Sequence, residues 1–143
     1  MKNKNSKLKP TKSKNYVFAV GRRKTAIARV RLFSGKGQMI VNDKPIEQYF
    51  PGEVAKVIWL KPFTLTDTVG KYYATIKVEG GGKSAQLGAV VHGLARALDR
   101  ENKELYHFSL KKAGLFTRDP RTKERRKPGQ MGKARKKKQS PKR

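Results

Sequence analysis

The sequence predicts one small α+β domain, a helical layer on a β-sheet, followed by a long basic tail. Three observations carry this. Thr25 to Phe33 and Tyr72 to Glu79 alternate apolar and polar residues as half-buried strands do. Ser84 to about Arg100 repeats Leu87, Val90, Val91, Leu94 and Leu98 on a helical period. The last 26 residues hold 13 basic and 2 acidic side chains and almost nothing apolar, so they cannot build a core.

Taken in order, Tyr16-Val17-Phe18-Ala19-Val20 is β-branched and aromatic and predicts a first strand. Gly21-Arg22-Arg23-Lys24 reads as a polar break. In the second strand Ala26, Ala28, Val30 and Leu32 share one face, and Ile27, Arg29, Arg31 and Phe33 the other. Ser34-Gly35-Lys36-Gly37 is a turn signal, and Gln38 to Val41 is the expected return strand of a hairpin. Asn42-Asp43-Lys44 before Pro45 reads as a helix start, with Pro45 near the first helical position. That short helix stops before Pro51-Gly52. Glu53 to Leu60 predicts a second helix ended by Pro62, and Phe63 to Val69 has no clear period. The next strand puts Tyr72, Ala74, Ile76 and Val78 on one face. The long helix follows Gly80-Gly81-Gly82. Opposite its apolar stripe lie Gln86, Ala89, Gly93, Arg96 and Arg100, which suit either close approach of a phosphate backbone or helix–sheet packing with solvated arginines. Glu104 to Lys112 is a last short helix, ended by Gly114.

The chain has 143 residues, enough for one ordinary domain. Its 36 Lys+Arg against 10 Asp+Glu give a net charge of +26, which calls for a polyanionic partner, most simply nucleic acid. The charge is zoned. Residues 1–15 form a basic flexible extension with six Lys and no acid, open to a solubilising or an RNA-contacting role. Residues 16–117 form the globular domain, at +9, and residues 118–143 the tail, at +11. Such a tail is typically a nucleic-acid arm. Extended, it reaches on the order of 85 Å, against a domain radius of gyration of about 13 Å. Pro128, Gly129 and Gly132 argue against one continuous helix in it.

The absence of cysteine excludes disulfides, cysteine zinc sites and thiol catalysis. No apolar run approaches the roughly 18–20 residues that span a bilayer, and the basic stretches lack the interleaving of an interfacial helix, so no membrane partner is expected. The N-terminus has no secretory h-region, and its Lys-only charge does not fit a mitochondrial presequence, so the chain reads as cytosolic. Gly82-Lys83-Ser84 invites a P-loop reading, but the position that needs the first glycine holds Lys77. What survives is a strand, three glycines and a helix N-terminus, a general anion site that an RNA phosphate suits better than a nucleotide. His92 and His107 are 15 residues apart with no carboxylates at ligand spacing, so no metal is expected. His92 lies away from the apolar stripe, as an RNA contact or a surface histidine. Asp99, Glu101 and Glu104 read as salt-bridge partners on helix surfaces. No catalytic constellation and no cofactor site stand out, and the chain reads as a non-enzyme.

Several ordered motifs then resemble one family. Gly21-Arg22-Arg23-Lys24-Thr25-Ala26-Ile27-Ala28-Arg29-Val30 is similar to the opening motif of the universal small-subunit ribosomal protein numbered nine. Asn42-Asp43-Lys44-Pro45 with Tyr49-Phe50 resembles its next landmark. Gly80-Gly81-Gly82, Ser84-Ala85-Gln86, Ala89, Gly93, Ala95-Arg96 and Ala97-Leu98 resemble its signature helix. Gly114 to Arg121, Glu124-Arg125-Arg126-Lys127, Lys133-Ala134-Arg135-Lys136 and Lys142-Arg143 resemble its tail. The resemblance covers residues 16–143 and is of the bacterial or organellar type. It implies the β-α-β fold shared with the second domain of ribosomal protein number five, and a structural role in the small subunit of a cytoplasmic, bacterial-type ribosome. The partners it implies are small-subunit ribosomal RNA in the head, peptidyl-site transfer RNA and neighbouring head proteins. Carried over, Arg22, Arg23, Lys24, Arg29, Arg31, Lys83, Gln86 and Arg96 face ribosomal RNA. Along the tail Arg118, Arg121, Arg125, Arg126, Lys127, Lys133, Arg135, Lys136, Lys137 and Lys138 do the same, and Lys142 and Arg143 contact transfer RNA. The family commonly ends aromatic-Ser-Lys-Arg, whereas this chain ends Ser140-Pro141-Lys142-Arg143, without the aromatic. The charge alone fits a general nucleic-acid packaging protein equally well, and the glycine run leaves a phosphate-binding enzyme as a third reading.

Overall fold

The computed structural model describes residues 15–138; the expectations for the N-terminal extension and for Lys142 and Arg143 lie outside the described residues, Asn15 excepted. The elements are β1 (Val17–Arg23), β2 (Ala26–Ser34), β3 (Ile40–Val41), β4 (Lys44–Pro45), α1 (Ile46–Tyr49), α2 (Glu53–Leu65), β5 (Tyr72–Glu79), α3 (Lys83–Glu101) and α4 (Lys103–Lys112). The five strands form one sheet in the order β1-β2-β5-β3-β4. β1, β2 and β5 pair antiparallel, while β3 runs parallel to β5, joined to it by a crossover containing α1 and α2.

The alternation read from sequence is the one that folds. Ala26, Ala28, Val30 and Leu32 of β2 and Ala74, Ile76 and Val78 of β5 are buried on one face. α3 lies across β1 and β2 on that face, and α2 and α4 pack against α3. Ile27, Arg29, Arg31 and Lys77 are exposed on the other face.

Four expectations are corrected. Gly21-Arg22-Arg23 is not a break but the continuation of β1, and the chain reverses at Lys24, where φ is 52°. Gly21 is inside the strand because nothing larger fits. A Cβ there would stand 1.9 Å from the Ala89 carbonyl oxygen and 2.3 Å from the Gly93 nitrogen. Second, Gln38 to Val41 does not return along β2. Only Ile40 and Val41 are strand, and they pair with β4 and β5, because the eight-residue β5 already occupies the inner edge of β2. Third, Asn42 and Asp43 start no helix. They are the two-residue loop between β3 and β4, both at positive φ as a type I′ turn requires, and Pro45 stands just before the first residue of α1. Fourth, Pro62 lies inside α2, which runs on to Leu65. Pro62 and Phe63 are buried, and that burial offsets the helix bond a proline cannot make.

Of the two roles open to Ala89 and Gly93, packing is the one the structure uses: both are buried under β1. α4 ends in a Schellman arrangement, with Gly114 N–H donating to Lys111 O and Leu115 N–H to Leu110 O. This turns the chain back along α3. Beyond Lys112 the described residues hold no helix or strand. Around Gly129 to Gly132 the chain reverses, and Arg135 reaches back to Glu124 at 2.6 and 2.9 Å.

Candidate nucleic-acid interface

β1 is an edge strand, so its outward backbone groups need partners. α3 supplies them from one row of side chains. Arg100 donates to Phe18 O, Arg96 donates to Val20 O at 2.7 Å, and His92 Nδ1 accepts from Arg22 N–H at 3.1 Å. Steps of four residues on a helix rise about 6 Å, and steps of two on a strand about 6.6 Å, so the two rows keep register. Because His92 Nδ1 accepts, its proton sits on Nε2, which donates to Phe116 O at 3.1 Å. Burial pushes the His92 imidazole below its ordinary range, and the neighbouring Arg96 and Arg118 push the same way. His92 is therefore a joint between β1, α3 and the returning chain rather than a free surface group. His107 pairs with Asp99 at 2.7 Å and stacks on Phe116, with ring centres 5.1 Å apart.

The same row of side chains lines a groove. Arg22, Arg96, Arg100 and Arg118 surround about 570 Å³ together with His92, Phe18 and Phe116, and no carboxylate lines it. It adjoins a hollow of about 440 Å³ where Arg96 and Arg100 meet Lys111 and Asp99. Each of Arg96 and Arg100 is drawn to β1 through one Nη1, which leaves the rest of the guanidinium fork to meet a ligand. Four guanidiniums around one channel bind phosphate oxygens well. Lys111 was not among the residues singled out from sequence, and Arg100 was read on the face opposite the apolar stripe without being carried into the RNA-facing set. The spacing of His92, Arg96 and Arg100, four residues each, is the signal that marks the row.

The other predicted residues divide by what holds them. Arg23 points inward over Gly88, where a Cβ would stand 2.3 Å from its Cδ, and pairs with Asp119 at 3.5 Å. Lys24 is exposed at the turn, and its carbonyl accepts from Arg118 at 3.4 Å. Arg121 also binds Asp119, and its hydrogen bonds hold that carboxyl well below the usual carboxylate range. The root of the tail is thus fastened to the β1–β2 turn. On the open sheet face Arg29 is tied to both Glu79 oxygens at 3.0 Å, and Arg31 lies 5.5 Å from the Tyr16 ring centre, beside the aromatic run Tyr16, Phe33, Tyr73.

Lys83 and Gln86 have structural partners. Lys83 Nζ stands 3.3 Å from the Tyr49 ring centre. Tyr49 donates to Gln86 Oε1 at 2.8 Å, and Gln86 Nε2 donates to Gly80 O at 3.1 Å. Asn42 completes the set, accepting from Val78 N–H and donating to Val78 O, both at 2.9 Å, and donating to Tyr49. One network therefore joins the Asn42–Phe50 and Gly80–Gln86 motifs. Arg125, Arg126, Lys127, Lys133, Lys136, Lys137 and Lys138 are exposed and make no ion pair among the described residues. Those residues also hold no cluster of three His, Cys, Asp or Glu for a metal, and no helix long and apolar enough to cross a membrane.

A family described as ribosomal protein S9/S16 matches residues 21–143. A curated relative, the small ribosomal subunit protein uS9 of Dehalococcoides mccartyi strain 195, is 52% identical over 114 residues, 80% of this chain and 86% of that protein. The proteins of the same name from strains BAV1 and CBDB1 are each 51% identical over 114 residues, with the same coverage of both chains.

Proposed function

This chain belongs to the ribosomal protein S9/S16 family, and on that premise we propose that its arginine groove holds ribosomal RNA in the head of the small subunit. The chain is a structural constituent of the small ribosomal subunit, not an enzyme, and it works in the ribosome in the cytoplasm. The observation that carries the RNA reading is the groove of Arg22, Arg96, Arg100 and Arg118, free of carboxylates and continuous with the fastened root of the tail. We read the fold as that of the second domain of ribosomal protein number five; the parallel β3–β5 crossover supports the likeness.

The domains divide as the charge does. Residues 16–117 dock, and residues 118–143 lie on RNA in the bound state. Arg121, Arg125, Arg126 and Lys127 anchor the tail on ribosomal RNA. Lys133, Arg135, Lys136, Lys137 and Lys138 continue it, and Lys142 and Arg143 contact peptidyl-site transfer RNA. Neighbouring head proteins complete the surroundings.

The test is salt dependence of binding to head-domain ribosomal RNA. About ten neutralised phosphates give a log–log slope near −7 to −9. Arg22→Ala and Arg118→Ala should each make it shallower by about 1, and unchanged slopes in both would remove the groove from the interface. Deleting Lys142 and Arg143 should leave assembly intact and weaken transfer-RNA binding or frame maintenance. Unchanged affinity and fidelity would exclude the tip.

A further inference from the structure

A second groove has a different chemistry. It runs between α2 and α3, two rows that advance together from Val54 and Leu87 to Lys61 and Val91. At one end Phe50, Val54, Ile58 and Leu87, with Lys83 and Ser84 beside them, enclose about 490 Å³ whose lining is mostly apolar. At the other, about 270 Å³ is bounded by Arg22, Arg23 and Lys61. Ile58 lines both ends. Val54 is 75% exposed and Val57, on the same helix, 69%, unusual for aliphatic side chains on a helix with its own buried face.

We propose that this groove docks a segment of a neighbouring protein that carries an aliphatic side chain and, about 10 Å away, a carboxylate. Complementarity of charge and polarity selects that occupant. The basic end already accepts a carboxylate, Asp119 at 3.5 Å from Arg23, and Lys61, which makes no ion pair among the described residues, is left for another. RNA satisfies that end but not the other. A nucleobase in the apolar end would lose hydrogen bonds to water and meet few polar groups in return, Lys83, Ser84 and a Tyr49 hydroxyl already donated to Gln86. A second copy brings a further +26. Residues 1–14 and 139–143 hold eight Lys+Arg and no acidic side chain, so those segments have the wrong sign. The inference takes its particle from the family reading and adds the surface and the chemistry of the partner.

The experiment places p-benzoylphenylalanine at Val54 in the full chain, within purified small subunits, and irradiates them. Incorporation of the chain is read separately by immunoblot, so a failure of the ribosomal reading registers on its own. The expected adduct is to a protein, at a site whose sequence holds a carboxylate within about three residues of extended chain. In a second chain that also carries Lys61→Glu, adduct yield should fall by about fivefold or more at equal incorporation. An adduct to RNA, no adduct, or a yield indifferent to Lys61→Glu would each overturn the proposal.

Discussion

Replacing Gly21 by Ala tests whether the first glycine of the Gly-Arg-Arg-Lys motif serves packing or RNA. Its Cβ would stand 1.9 Å from the Ala89 carbonyl oxygen and 2.3 Å from the Gly93 nitrogen. Both are backbone atoms, so no side chain can rotate away. Reaching the 3.4 Å of ordinary contact requires β1 and α3 to part by about 1.5 Å. The surrounding Ala19, Val30, Ala89 and Leu94 are fully buried, and a gap of even 0.5–1 Å forfeits a quarter to a half of their contact energy. The cost therefore falls at or above the top of the usual overpacking range, about 3 kcal/mol. Urea unfolding followed by the fluorescence of Trp59, the single and buried tryptophan, reads this directly. With a slope of about 2 kcal/mol/M the midpoint should drop by about 1.5 M or more. Gly82→Ala, where no atom lies within 4 Å of the new Cβ, should cost less than about 1 kcal/mol. A Gly21→Ala midpoint within about 0.3 M of the parent would refute the close crossing of β1 and α3.

Three further outcomes are expected. The His92 imidazole is held below its ordinary value, so the unfolded chain takes up the proton first: stability is full above about pH 6.5 and falls as pH drops below it, and His92→Gln should flatten the fall in urea midpoint between about pH 6.5 and 5. Asn42→Ala removes two bonds to Val78 and one to Tyr49 and puts alanine at φ 46°, so the same unfolding assay should lose about 2–3 kcal/mol; a loss under about 0.5 would break the proposed link between the two motifs. Arg96→Lys gives up the Nη1 donation to Val20 O and should cost about 1–2 kcal/mol in that assay, and a cost near zero would argue that the β1 edge does not depend on it.

Local patterns were legible where one face is buried. The β2 and β5 alternations and the apolar period of α3 were read correctly because each side chain's environment repeats along its own element. The failures concern what one element owes to another. Gly21 looked like a turn residue because the helix backbone that requires it lies about 70 residues further on. Ile40 and Val41 looked like the return of a hairpin because the competing partner, β5, is distant in sequence. Pro62 looked like a terminator because its burial cannot be seen in the chain. At the site, a positive side chain near glycines looked like a phosphate ligand. For Lys83 the structure adds a place over the Tyr49 ring, which sequence spacing does not show. Charge zoning located the basic surface, while its organisation around β1 needed the helix spacing of His92, Arg96 and Arg100 to be matched to alternate residues of a strand.

That match has a consequence for how the protein is made. β1 leaves the exit tunnel early, but the groups that close its outer edge lie 70, 76 and 82 residues downstream. At the usual 5–20 residues per second the nascent strand waits about 4 to 16 s with that edge bare. The far edge of the sheet poses less hazard, since β4 is two residues long and one of them is Pro45. Synthesis thus has a vulnerable interval set by the distance between Phe18 and Arg100 along the chain. Slowing translation within residues 24–91 should lengthen it and raise co-translational aggregation, whereas pauses after Arg100 has emerged should not.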